Sequence, residues 1–160
     1  MPSVSRTIRH AFTLVEVLIV VVILGVLASV VIAMVGDASG DAAKGAFIAD
    51  IKMFAEAAEV YRVKTGEYLE DSSSGVCPAG FEPYVDEDGW ERPTPVGGVW
   101  DAELNSYGVT SALGVHFFGG GVVRDDAFMV GIDEIYDDGD LATGTFQKID
   151  NDRYYHILMR

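Results

Sequence analysis

The hydrophobic rhythm of the chain changes twice. From Val17 to Val35 nineteen residues carry no charge and no proline, and only Gly25 and Ser29 are not apolar. Apolar residues cover the whole circumference of the helix this stretch would form, not one stripe. At about 1.5 Å per residue it reaches roughly 28 Å, enough to cross a hydrocarbon core of about 30 Å. From Phe47 onward the rhythm is that of one helical face. Phe47, Ile51, Phe54, Ala58 and Tyr61 recur at steps of four, three, four and three, and Asp50, Glu56, Glu59 and Lys64 lie mostly off that face. Gly36-Asp37-Ala38-Ser39-Gly40-Asp41 separates the two patterns, and Gly66 is a C-terminal stop. The pattern predicts one long helix from residue 12 to about 65. Residues 12–35 would form a membrane-crossing half and 36–66 an amphipathic half, with a soft point at 36–40.

Beyond residue 66 the period shortens. Residues 67–98 read as loop, with Ser72-Ser73-Ser74-Gly75, four prolines and the acidic turn Asp86-Glu87-Asp88-Gly89. Strand candidates follow at 97–102, 107–110 and 114–118. Residues 125–136 read as a short helix with Phe128, Ile132 and Ile135 on one side and Asp125 or Asp126 near its N-cap. Asp137-Asp138-Gly139-Asp140 ends it. Residues 144–149 and 154–159 read as a closing hairpin around Asp150-Asn151-Asp152. The expected fold class is α+β: a long N-terminal helix packed against a small antiparallel sheet, with residues 67–160 as the globular domain.

Charge sharpens this picture at one point. Residues 1–11 hold Arg6, Arg9 and His10 and no acid, which keeps that end in the cytoplasm and resembles the head of an export signal. The topology that follows is a single span with everything after about Gly36 outside. Glu16 is the one carboxylate at the start of the apolar run. A charge at the centre of a membrane helix costs about 2.5–3.5 kcal/mol on insertion scales. Glu16 therefore needs a use, or else a place among lipid headgroups. The whole chain has 11 Lys and Arg against 25 Asp and Glu, a net charge of −14. That excludes nucleic-acid binding by simple phosphate neutralisation and suits a soluble outer surface.

The run Ala11-Phe12-Thr13-Leu14-Val15-Glu16, after a basic leader and before a Val/Ile/Leu helix, resembles the signal of type IV pilins and type II secretion pseudopilins. The resemblance covers residues 6–68, through Tyr61 and Gly66-Glu67-Tyr68. It implies a leader of residues 1–11, removed by a prepilin peptidase between Ala11 and Phe12, and methylation of the new N-terminus at Phe12. It also implies that Glu16 of one subunit pairs with the Phe12 amine of its neighbour, compensating both charges and setting the axial register. Gly25 matches the glycine at which the family's helix loosens. Two positions depart from the family: Ala11 stands where Gly is usual, and Ala33 stands where a proline is usual. The implied function is that of a structural filament subunit, not an enzyme. Its implied partners are related subunits, the peptidase, an assembly ATPase and an inner-membrane platform. Its place would be the inner membrane before assembly and a surface or periplasmic filament after. A secretion pseudopilin is the rival within this class.

The remaining candidates are weaker. Asp137, Asp138 and Asp140, with Asp133, offer oxygen ligands to calcium, and some secretion pseudopilins hold calcium in a C-terminal loop. The spacing is not that of an EF-hand, and an acidic turn at a helix end accounts for the same residues, as it does for Asp86, Glu87 and Asp88. No other cofactor is implied. His10, His116 and His156 show no ligand spacing, and no Ser/His/Asp or Cys/His set is visible. Cys77 beside Pro78 reads as a small half-buried side chain. Trp90, Trp100, Tyr107, Phe117, Phe118, Tyr154 and Tyr155 read either as a sheet core or as a sugar-binding face. The second option, with calcium, would make the chain a membrane-anchored binding module.

Overall fold

The computed structural model describes residues 13–118 and 121–160, and of residues 31–38 the backbone alone. Internal contacts divide the chain into two units, residues 1–40 and 41–160. Helix α1, Leu14–Thr65, starts in the first unit and ends in the second. The backbone of residues 36–40 is helical, although the sequence there predicts a soft point. Two glycines cost about 1 kcal/mol each, yet propagation from a formed helix is far easier than nucleation.

In the first unit, the large apolar side chains from Leu14 to Val30 are 48–83% exposed, on every side of the helix. They have no core of their own to enter. Among the described residues no helix is long and apolar enough to cross a membrane. The stretch expected to cross, residues 17–35, runs into residues 31–38, whose side chains lie outside the description.

In the second unit the picture inverts. The α1 face expected from the periodicity is buried: Phe47, Ile51, Phe54, Ala58 and Tyr61 are each 7% exposed or less. This face lies on an antiparallel sheet of order β1-β2-β4-β3, made of β1 Val99–Ser106, β2 Val109–His116, β3 Phe146–Asp150 and β4 Arg153–Met159. Phe47 stacks on Trp100 at 5.3 Å between ring centroids, and Phe54 meets Trp100 and Trp90 edge-on at 4.9 and 5.0 Å. Such pairs contribute about 0.5–1.5 kcal/mol each beyond their area. The short helix α2, Glu87–Glu91, lies in the expected loop and seats the buried Trp90, whose Nε1–H donates to the Val76 carbonyl at 3.1 Å.

Two further elements, β2 and α3, differ from expectation. The strand candidates at 107–110 and 114–118 are one strand, β2. It is joined to β1 by the two-residue turn Tyr107-Gly108, both at positive φ (49° and 79°). That is the hairpin geometry usually carried by Asn-Gly, and with Tyr in the first place the sequence signal was lost. Asn105 also has positive φ (54°), yet the register runs unbroken past it, from Leu104 opposite Ser111 to Ser106 opposite Val109. The helix read at 125–136 is α3, Asp126–Tyr136, with the Asp125 carboxylate accepting from the Phe128 N–H at 2.9 Å. Its buried stripe, however, is Met129, Ile132 and Asp133, and Ile135 is 66% exposed. From Ile132 the stripe continues by the four-residue step to Tyr136, which places an acid beside it.

Of the seven aromatic residues weighed as a sugar face, Trp90, Trp100, Phe117, Tyr154 and Tyr155 are buried, so the core reading holds for them. Tyr107 and Phe118 are exposed. Cys77 is buried, more deeply than expected. Burial and the charges of Glu82, Glu87 and Glu91 push its thiol up to about 11, far from nucleophilic.

Candidate functional site

At the head of α1, Thr13 and Glu16 cap the helix reciprocally. The Glu16 Oε2 accepts from the Thr13 backbone N–H at 2.9 Å and from its hydroxyl at 2.8 Å. The Thr13 Oγ1 in turn accepts from the Glu16 N–H at 3.2 Å. This is a capping box, in which a carboxylate three residues into the helix also meets the positive end of the helix dipole. The Thr-Leu-Val-Glu spacing carries this capping signal in the sequence, but the resemblance gives Glu16 a register role and says nothing of a cap. Ala11 and Phe12, the positions of the expected cut and methylation, lie outside the described residues. Gly25 lies in the helix interior, and nothing comes within 4 Å of where its Cβ would be. Packing within the subunit therefore gives no reason for a glycine there.

On the sheet face that does not carry Trp100, a second polar group is enclosed. Asp101 and Glu103 of β1 are both buried and share Arg153 of β4: the guanidinium donates to the Asp101 Oδ2 at 2.6 Å and also to Glu103. Tyr155 lies across β2 to donate its hydroxyl to Asp101 at 2.7 Å. It can do so because position 114, its partner in β2, is glycine. A Cβ there would run into the Tyr155 ring and the Tyr154 carbonyl. Burial, opposed by Arg153, pushes the Glu103 carboxyl up to about 7. Ser74 from the 72–75 loop reaches the same place. Its Oγ lies 2.8 Å from His116 Nδ1, and His116 Nε2 lies 3.3 Å from an Asp152 carboxylate. Sequence reasoning missed this Ser/His/Asp set because its members are far apart along the chain. The Ser74 hydroxyl hydrogen is committed to Asp101 Oδ2 at 2.9 Å, so His116 is not the acceptor that a serine nucleophile needs.

The acidic turn after α3 is the third group. Asp133, Asp137 and Asp138 each bring one carboxylate oxygen to within 4.8 Å of the others. Asp140, expected with them, instead accepts the Ala142 N–H at 3.0 Å. Asp133 is wholly buried. Burial and the charges of Asp138 and Asp137 push it up to about 6, against a Gly139 N–H that favours the ionised form. His156 is held low by burial and lies 2.5 Å from the Tyr136 hydroxyl, apart from this cluster. Sequence spacing placed Asp133 only at the margin of this set, because its burial was not visible there.

Residues 6–34 match the family model described as the prokaryotic N-terminal methylation motif. The chain carries a prepilin-type methylation motif. It is the signal of type IV pilins and pseudopilins, and it includes Ala11, Phe12, the Thr13/Glu16 cap and Gly25. A methylation motif of this kind implies processing by prepilin peptidase and assembly with related subunits. It points to a structural pilin-type protein and to a membrane-anchored precursor. Neither the curated proteins nor the solved structures hold a match to the chain.

Proposed function

We propose that the chain is a structural filament subunit, cut between Ala11 and Phe12, methylated at Phe12, and assembled through the first half of α1. The observation that carries this reading is the methylation motif followed by a helix whose apolar side chains are exposed all round. Such a surface needs lipid before assembly and neighbouring helices after it. Before assembly the helix spans the inner membrane once, with the leader in the cytoplasm; afterwards it lies in the filament core. The assembly ATPase and its membrane platform supply the extrusion. Gly25 gives the packed helix a point at which to loosen.

Glu16 has two partners in this scheme. In the single subunit it caps α1 with Thr13. In the filament it meets the Phe12 amine of a neighbour and sets the register. Removing one partner of such a buried pair costs about 3–5 kcal/mol.

N-terminal sequencing and mass spectrometry of the exported protein test the processing step. The expected product begins at N-methylated Phe12, and an intact Met1 or Pro2 would overturn the reading. Glu16→Gln then separates cap from charge, because Gln also completes a capping box. The variant should insert and be cut as the parent is, yet fall at least tenfold in sheared filament. Filament at parental yield would sink the register role.

A further inference from the structure

The pilin reading leaves one polar cavity without a use. It holds about 400 Å³ on the sheet face opposite Trp100. Asp101, Glu103 and Arg153 line it from the sheet, Asp71 and the serines of residues 72–74 from the preceding loop, and Tyr107 from the β1–β2 turn. The volume lies within the range of ordinary small-ligand sites, about 300–1,000 Å³. Its charge does not balance. Three carboxylates face one guanidinium, and among the described residues no other lysine or arginine pairs with Asp71, Asp101 or Glu103. His116 lies 3.4 Å from Asp101 and counts only when protonated. Arg153 is spread thin: its Nη1 alone serves Asp101, Glu103 and the Tyr155 hydroxyl, the last at 3.0 Å. The Asp101 and Glu103 side chains are 2% and 5% exposed, so water compensates them little. Burial is the largest cause of Glu103's tight hold on its proton, and the charges of Asp101 and Asp71 add to it against Arg153.

We propose that this cavity binds a primary alkylammonium group, carried by a small amine or by a lysine side chain. The imbalance disfavours an anion and draws in a cation. A bare metal ion needs its carboxylates close together. Asp71, Asp101 and Glu103 do not form such a set; among the described residues the acids with oxygens within 4.8 Å of one another are those of the turn after α3. An ammonium group suits the wider spacing. It brings three donors, each able to reach a carboxylate at about 2.7–2.9 Å. Its carbon chain needs an apolar wall at the mouth, and Tyr107, 47% exposed, supplies one. Tyr107 holds φ at 49°, where Asn or Gly costs less, and its place on the rim gives that choice a reason. The Arg153 guanidinium lies 4.9 Å from the ring centre, which ties the wall to the floor. The inference does not depend on filament assembly.

Isothermal titration calorimetry of the full chain in detergent tests it, at about pH 8, where Glu103 is ionised, and about 0.15 M salt. The probes are diaminobutane and Nα-acetyl-lysine amide. Saturable binding of either, one per chain, is the expected result, and the tighter of the two identifies a free amine or a lysine side chain as the source. Butanediol, of the same length without the charge, should give no saturable heat. Asp71→Asn, at an exposed position, should unfold at the parent's midpoint and weaken amine binding at least tenfold, as should Glu103→Gln. Tyr107→Asn should fold at least as stably, since Asn tolerates positive φ, and weaken binding severalfold. No saturable binding of either amine, or binding undiminished in both Asp71→Asn and Glu103→Gln, would overturn the site. Equal binding of butanediol would overturn the assignment to a cation.

Discussion

Residues 14–30 and the domain from residue 41 onward use apolar side chains in opposite ways. In the first stretch Leu, Val and Ile point outward all round, and the one acid, Glu16, closes the helix end. In the domain, Phe47, Trp90, Trp100 and Phe146 point inward, and three acids, Asp101, Glu103 and Asp133, are buried with them. The contrast shows where each region finds its stability. The domain completes its own core, whereas the apolar helix depends on what surrounds it.

The sharpest way to break this comparison is to truncate one large side chain in each region. Trp100→Ala should destabilise the domain by about 3–5 kcal/mol, measured by denaturant unfolding. Leu18→Ala should leave domain stability unchanged and lower the filament yield instead. Equal losses of domain stability in both variants would erase the distinction. Arg153→Met comes next. It leaves Asp101 and Glu103 without their shared cation, at a cost of about 3–5 kcal/mol, and Glu103→Gln in the same chain should recover part of that loss.

Buried acids also give the domain a pH dependence that the apolar helix does not share. Glu103 has a folded pKa of about 7 against an ordinary value of 4.5. Its proton is thus held more tightly in the folded state. The associated stability is fully present below about pH 4.5 and is lost as pH rises toward 7, an effect of about 3 kcal/mol. Asp101 and Asp71 add to the rise, and Arg153 opposes it. Glu103→Gln should flatten the stability profile between pH 4.5 and 7, and an unchanged slope would remove Glu103 as its source. Gly25→Ala has the smallest expected effect. It should stabilise the first half of α1 by about 1 kcal/mol, read by amide hydrogen exchange in detergent, because the position is open. If filament yield is unaffected, the proposed loosening at Gly25 is not needed.

Local rules explain what was legible in the sequence. The α1 face from Phe47 to Tyr61 repeats at helical spacing over four turns, and the structure buries every member of it. Of the two cap candidates before the apolar run, Asp125 and Asp126, it is Asp125 that caps α3. The misreadings occur where distant residues decide. Gly114 reads as a strand boundary, but it is a strand centre whose missing side chain admits Tyr155 from β4. Asp133 and Ile135 are adjacent choices for one helical stripe, and packing around α3 selects the acid. Asp101, Glu103, His116 and Arg153 meet only through the pairing of β1, β2 and β4, which no short window of sequence contains.

The chain has two tryptophans, and both lie in one aromatic cluster, 6.3 Å apart between ring centroids. Their emission is a built-in optical signal for the domain alone, silent about the first forty residues. Unfolding, subunit exchange and filament shearing can each be followed without a dye. A change in that emission during assembly would mean that the outer domain, and not only the helix, had altered.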